Sequence, residues 1–98
     1  MYRVQISGNA QDDLERLVVF LAEHDFSAAL RARESIEKAY TLLADFPMSC
    51  RRADSDHPLL RELLVPFGHA GYVLLFEITS KDTVTILAVR HQSEEDYY

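Results

Sequence analysis

Cysteine is nearly absent from this chain. Among its 98 residues only Cys50 is one, so no disulfide can close within it and a reducing compartment suits it. Glycine and proline are also scarce, with three of each, and 48% of the residues are hydrophobic. That composition excludes a fibrous or disordered chain and describes one domain over residues 1–98 with room for one core. Lysine is reduced to Lys38 and Lys81, and sixteen acidic against ten basic side chains leave a formal net charge of −6. A protein that binds nucleic acid by neutralising phosphates normally shows a basic surface. Here the average field would repel a polyanion.

Long apolar runs are missing as well. The longest, Leu17 to Ala22, is far too short to span a bilayer, so no membrane partner is expected. Met1-Tyr2-Arg3-Val4 alternates polar and apolar residues and lacks the apolar stretch of a signal peptide, which gives a cytoplasmic expectation. His24, His57 and His69 show no metal-ligand spacing with one another or with Cys50, and neither a glycine-rich phosphate loop nor a nucleophile elbow occurs. No metal and no cofactor are expected. Cys50 stands beside Arg51 and Arg52, which suits either a thiol activated by two cations or a packing residue.

What is present is regular periodicity. Tyr2, Val4 and Ile6 alternate with Arg3 and Gln5, the period of a half-buried strand. Ser7 or Asn9 can cap the helix that follows, with Asp12 and Asp13 in its first turns and Leu14, Leu17, Val18 and Leu21 on one face, running to about His24. A break at Asp25-Phe26-Ser27 caps a second helix whose face is Ala29, Ala32, Ile36, Ala39, Tyr40, Leu43 and Phe46, ended by Pro47. So short a connection implies an antiparallel helical hairpin. The polar segment from Pro47 to Pro58 reads as an exposed loop. Three strand-like runs follow, Leu60–Val65, Tyr72–Thr79 and Thr83–Arg90, joined by connections too short for anything but antiparallel pairing. The expected class is α+β: an N-terminal strand, the hairpin, then a three-stranded antiparallel meander completing a twisted sheet.

Leu60-Arg61-Glu62-Leu63, Phe67-Gly68 with Gly71-Tyr72-Val73-Leu74-Leu75-Phe76, and Thr85-Ile86-Leu87-Ala88-Val89-Arg90-His91-Gln92 together resemble the RelE/ParE toxin superfamily, the plasmid stabilisation proteins. Asp13-Leu14 and Leu43-Ala44-Asp45-Phe46-Pro47 extend the likeness over almost the whole chain. The resemblance implies a toxin silenced by a cognate antitoxin whose extended or helical segment wraps it, with DNA met only through that antitoxin. One branch of the superfamily cleaves messenger RNA on the ribosome; the ParE-like branch poisons DNA gyrase.

Metal-free RNA cleavage by the 2′-hydroxyl needs a base, an acid and cations for the phosphate. The candidates are His91 as acid or base, Arg61 and Arg90 on the phosphate, the Arg51-Arg52 pair, and Tyr97, with Tyr98 as its substitute. The resemblance places Arg61 at a basic position of the strand after the loop, and His91 and Tyr97 near the interferases' C-terminal catalytic groups. Each has a plainer reading: Arg61 as a cross-strand partner, for instance of Glu77, Arg90 and His91 as polar strand ends, and Tyr97 as packing. Two features oppose a nuclease. The chain lacks the lysine-rich face on which the interferase branch relies, and Glu94, Glu95 and Asp96 lie between His91 and Tyr97, where carboxylates would oppose charge building on the phosphate. The first expectation is therefore a ParE-like toxin that docks on gyrase. Its test surfaces for target or antitoxin are Arg31, Arg33, Glu34 and Glu37 of the second helix, with Arg51 and Arg52. A ribosome-dependent mRNA endoribonuclease is the alternative, and an inactive toxin-like binding module the weaker one.

Overall fold

Ser7 and Asp25 set the starts of the two helices. In the computed structural model, which describes residues 1–68 and 70–93, the Ser7 hydroxyl accepts the Ala10 N–H at 3.1 Å and an Asp25 carboxylate oxygen accepts the Ala28 N–H at 3.0 Å. Caps of this kind contribute about 1 kcal/mol each. Between them the chain runs as strand β1 (Arg3–Ile6), helix α1 (Gly8–Ala22) and helix α2 (Phe26–Asp45). A short 3-10 turn (Pro47–Ser49) leads into strands β2 (Arg51–Asp54), β3 (His57–Phe67), β4 (Ala70–Ser80) and β5 (Thr83–His91). The hairpin-then-meander order agrees with the α+β expectation.

The sheet has five strands in the order β1-β5-β4-β3-β2, antiparallel from β2 to β5, with β1 added parallel to β5. It is open, and β1 and β2 are its edges. The meander therefore has four strands where sequence gave three. β2 arises inside the segment read as a loop, and β3 starts at His57 rather than Leu60. The reason is physical: β2 is a four-residue edge strand without a buried residue, held by backbone pairing to β3, so it leaves no hydrophobic alternation to detect.

One face of the sheet is covered by the helical hairpin. β4 contributes Tyr72, Leu74, Phe76 and Ile78, and β5 contributes Val84, Ile86 and Val89. Ala10, Leu14 and Leu17 of α1, and Ala32, Ile36, Ala39 and Leu43 of α2, pack onto them. Small residues along α2 let it lie close. Phe46, expected on that buried face, is 59% exposed. The residue before a proline is driven out of helical geometry, and Phe46, with φ −135° and ψ 49°, leaves the periodicity of α2. Asp13 also departs from its expected part at the helix dipole: its carboxylate reaches β5 and accepts the Val89 N–H at 3.0 Å. No described helix is long and apolar enough to cross a membrane.

Candidate functional site

Strand alternation decides where each basic residue goes. Arg61 stands opposite Phe76 and shares the helix-covered face with Leu63 and Val65, whereas Glu77 stands opposite Leu60 on the other face. The supposed Arg61–Glu77 pair therefore does not form. Instead Arg61 is 8% exposed, the one charged side chain in the core of the described residues. Its Nε donates to the Pro58 carbonyl at 2.7 Å, and one terminal nitrogen donates to the carbonyls of Met48 at 3.1 Å and Cys50 at 2.8 Å. Those carbonyls belong to the 3-10 turn and the flanks of β2 and β3. The guanidinium ties together a segment that has little apolar surface to hold it.

Arg51 and Arg52 lie on opposite faces of β2. Arg51 pairs in register with Glu62, and its guanidinium reaches that carboxylate at 3.1 Å, so part of its charge is neutralised at the sheet edge. Arg52 stands opposite Arg61 and is exposed. Cys50 is half-buried, with Sγ 3.9 Å from the Phe46 carbonyl. Burial pushes its thiol up, and the Arg61 guanidinium offsets this only in part. A raised thiol is the reverse of an activated nucleophile, which favours packing.

At the opposite edge of the meander Arg90 and His91 part company. Arg90 pairs with Val73 on the face away from the helices, while His91 pairs with Tyr72 on the covered face. The two rings meet edge to face with centroids 5.6 Å apart. The backbone N–H of Ser93 donates to His91 Nδ1 at 3.1 Å, and the Ser93 hydroxyl sits 2.7 Å from the same nitrogen. Accepting that N–H requires an unprotonated Nδ1, so the neutral ring carries its proton on Nε2.

His91 lines a groove of about 540 Å³ between α1 and the sheet, with Arg16, Leu17, Phe20, Leu21, Phe67, Tyr72 and Ser93. Burial raises the Tyr72 phenol, which keeps it protonated at neutral pH. Phe20, 64% exposed, forms one wall and meets the His24 ring at a 43° tilt with centroids 5.1 Å apart. Sequence reading missed this groove because its lining comes from α1 and from the ends of β3, β4 and β5, which no local pattern connects. One signal was available: Val19 and Phe20 are apolar residues off the buried stripe of α1, and both are exposed.

The described members of the proposed catalytic set, Arg61, Arg90 and His91, do not converge. From the strand registers, Arg61 and His91 lie roughly 15 Å apart along and across the sheet, on one face but with the core between them. Arg51 and Arg90 share the face away from the helices at roughly the same separation. Arg31, Arg33, Glu34 and Glu37 are exposed on α2, where Arg31 donates to the Ser27 hydroxyl at 2.9 Å. They continue toward Leu30 and Phe26, 49% and 68% exposed. Tyr97, with Tyr98 and the carboxylates of Glu94, Glu95 and Asp96, lies outside the described residues. No metal-binding cluster of His, Cys, Asp or Glu occurs among the described residues.

Comparisons with known proteins add to this geometry. A family model described as the ParE toxin of the type II toxin-antitoxin system parDE matches residues 4–96. Toxin RelE1 of Caulobacter vibrioides is 32% identical over 94 residues, covering 96% of this chain and 97% of the relative. Toxin RelE3 of the same organism is 35% identical over 94 residues, covering 96% and 98%. Among solved structures, the chromosomal ParDE toxin-antitoxin system from P. aeruginosa has the same fold, with a TM-score of 0.73, 17% identity, and coverage of 93% of this chain and 96% of that one. With relatives matched end to end and an open five-stranded sheet under a helical hairpin, the chain belongs to the ParE toxin family, the toxin half of type II toxin-antitoxin systems, within the RelE/ParE superfamily.

Proposed function

We propose that this toxin arrests growth by docking on a protein target, DNA gyrase, and that a cognate antitoxin silences it by covering the same apolar surfaces. The observation that carries this reading is the dispersal of the cations. RNA cleavage needs acid, base and phosphate-binding groups within a few ångströms of one phosphate. Here Arg61 is buried on backbone carbonyls, Arg51 is tied to Glu62, and Arg90 and His91 face opposite sides of the sheet. What the molecule presents instead is protein-like: Val19, Phe20, Phe26 and Leu30 are exposed on the hairpin, Phe20 as a wall of the His91 groove, and Arg31, Arg33, Glu34 and Glu37 are exposed on α2. Exposed apolar patches rimmed by charge mark protein-binding surfaces.

A gyrase supercoiling assay with purified toxin tests this. Inhibition of supercoiling, weakened by Phe20→Ser, is the expected result. Intact supercoiling together with new message 5′ ends on translating ribosomes would overturn it. The second reading is a ribosome-dependent endoribonuclease, the activity of the RelE-like branch whose name the two Caulobacter relatives bear. In it His91, whose Nε2 proton belongs to a groove-lining ring, would be the acid or base. Under that reading His91→Ala abolishes cleavage while the protein still folds.

A further inference from the structure

Strand β5 carries one residue more than its register with β4 requires. Phe76 stands opposite Ile86 and Leu75 opposite Ala88, so Leu87 is a bulge. Side chains alternate between faces along a strand, and one inserted residue reverses the alternation beyond it. Val84 and Ile86 before the bulge lie in the core, and Val89 after it does too. An unbroken strand would have driven Ala88 and Arg90 into the core and turned Val89 and His91 outward. The bulge is what puts His91 in the groove and Arg90 on the face away from the helices.

The bulge is held from α1. The Ser7 N–H donates to the Ile86 carbonyl at 2.9 Å and the Ser7 hydroxyl donates to the Leu87 carbonyl at 3.2 Å. Nearly two helical turns later the Asp13 carboxylate accepts the Val89 N–H at 3.0 Å. A bulge interrupts the ladder and leaves backbone groups needing partners. The Ser7 and Asp13 side chains meet two such groups of β5, the Leu87 carbonyl and the Val89 N–H, while Ser7 also caps α1 through the Ala10 N–H. Both side chains are local to the helix in sequence, yet both act on a strand some eighty residues away.

We propose that Ser7 and Asp13 are positioning residues for the β5 end: they lock Leu87 as a bulge and so decide which face receives His91 and which receives Arg90. The register part of this stands on geometry alone; its effect on toxicity rests on the reading that the His91 groove meets a partner.

The test uses the toxin in complex with its antitoxin for NMR, and induced toxin alone for growth. Asp13→Ala is expected to speed Val89 amide exchange at least about tenfold, the loss of one hydrogen bond to a charged acceptor. It should also remove the nuclear Overhauser contact between the Tyr72 and His91 rings and relieve growth arrest. Asp13→Asn, whose amide oxygen still accepts, should restore all three. Ser7→Gly, a tolerated N-cap without a hydroxyl, should weaken the same contacts and replaces Asp13→Ala if that variant does not fold. Unchanged Val89 exchange and an intact Tyr72–His91 contact in the folded variant would overturn the inference. Loss of the ring contact with full growth arrest would overturn its functional consequence. Toxicity without gyrase inhibition would overturn the target assignment and leave the inference standing.

Discussion

At the β2 edge of the sheet an arginine is buried and engaged by the backbone, whereas at the β5 end a histidine and an arginine adjacent in sequence are delivered to opposite faces. The first arrangement serves stability: Arg61 holds the 3-10 turn and the β2–β3 hairpin, which bury little apolar surface of their own. The second serves presentation, because His91 lines a groove and its Nδ1 is fixed by Ser93. A basic residue on a strand is therefore no evidence of phosphate binding until its face and its existing partners are known.

The sharpest way to break that contrast is to remove Arg61. Arg61→Ala leaves the Pro58, Met48 and Cys50 carbonyls without their donor and should cost about 3 kcal/mol in urea denaturation. Arg61→Lys should recover less than half, since an ammonium cannot span carbonyls on three sides. Full stability with lost toxicity would make Arg61 a functional residue after all. Gly71 sharpens the other end. A Cβ there would collide with the Val65 carbonyl oxygen, and the Gly71 carbonyl also accepts the Gln92 N–H at 2.9 Å. Gly71→Ala should therefore cost about 2 kcal/mol and disturb the β4 start that carries Tyr72, visible as a lowered Tm and loss of the Tyr72–His91 contact.

The smallest effect is expected in acid, at the turns. The Asp54 carboxyl is held below its ordinary value of 3.8 by the Asp56 N–H and by His57, and Asp82 by the Ser80 and Thr83 hydroxyls. A depressed folded value means the contribution is present above 3.8 and is lost as pH falls through the lower folded value. Asp54→Asn and Asp82→Asn should each flatten the acid limb of the stability curve, by lowering stability slightly at pH 7 while leaving it unchanged in strong acid, where the wild-type carboxyl is protonated as well. An unchanged acid limb would show these contacts absent in solution.

Much of the fold was legible because burial leaves a period. Leu14, Leu17, Ile36 and Leu43 fall on helix faces that sequence spacing assigns, and Ser7 and Pro47 mark helix ends by local chemistry. β2 was not legible, since an exposed edge strand carries no period. Of the candidate site, the residues were legible and their grouping was not. His91, Arg61 and Arg90 are all singled out by type and position, but convergence depends on registers that one extra residue can reverse.

Sequence by itself determined the order of strand, helical hairpin and meander, because periodicity, caps and breakers act within a few residues of one another, and the family entered through the resemblance of its motifs. Only the tertiary structure decided what the charges do. Whether Arg61 meets carbonyls or solvent, and whether His91 or Arg90 faces the helices, depends on contacts between segments up to 80 residues apart, such as Ser7 with Leu87. Nothing in the local order of residues encodes those distances.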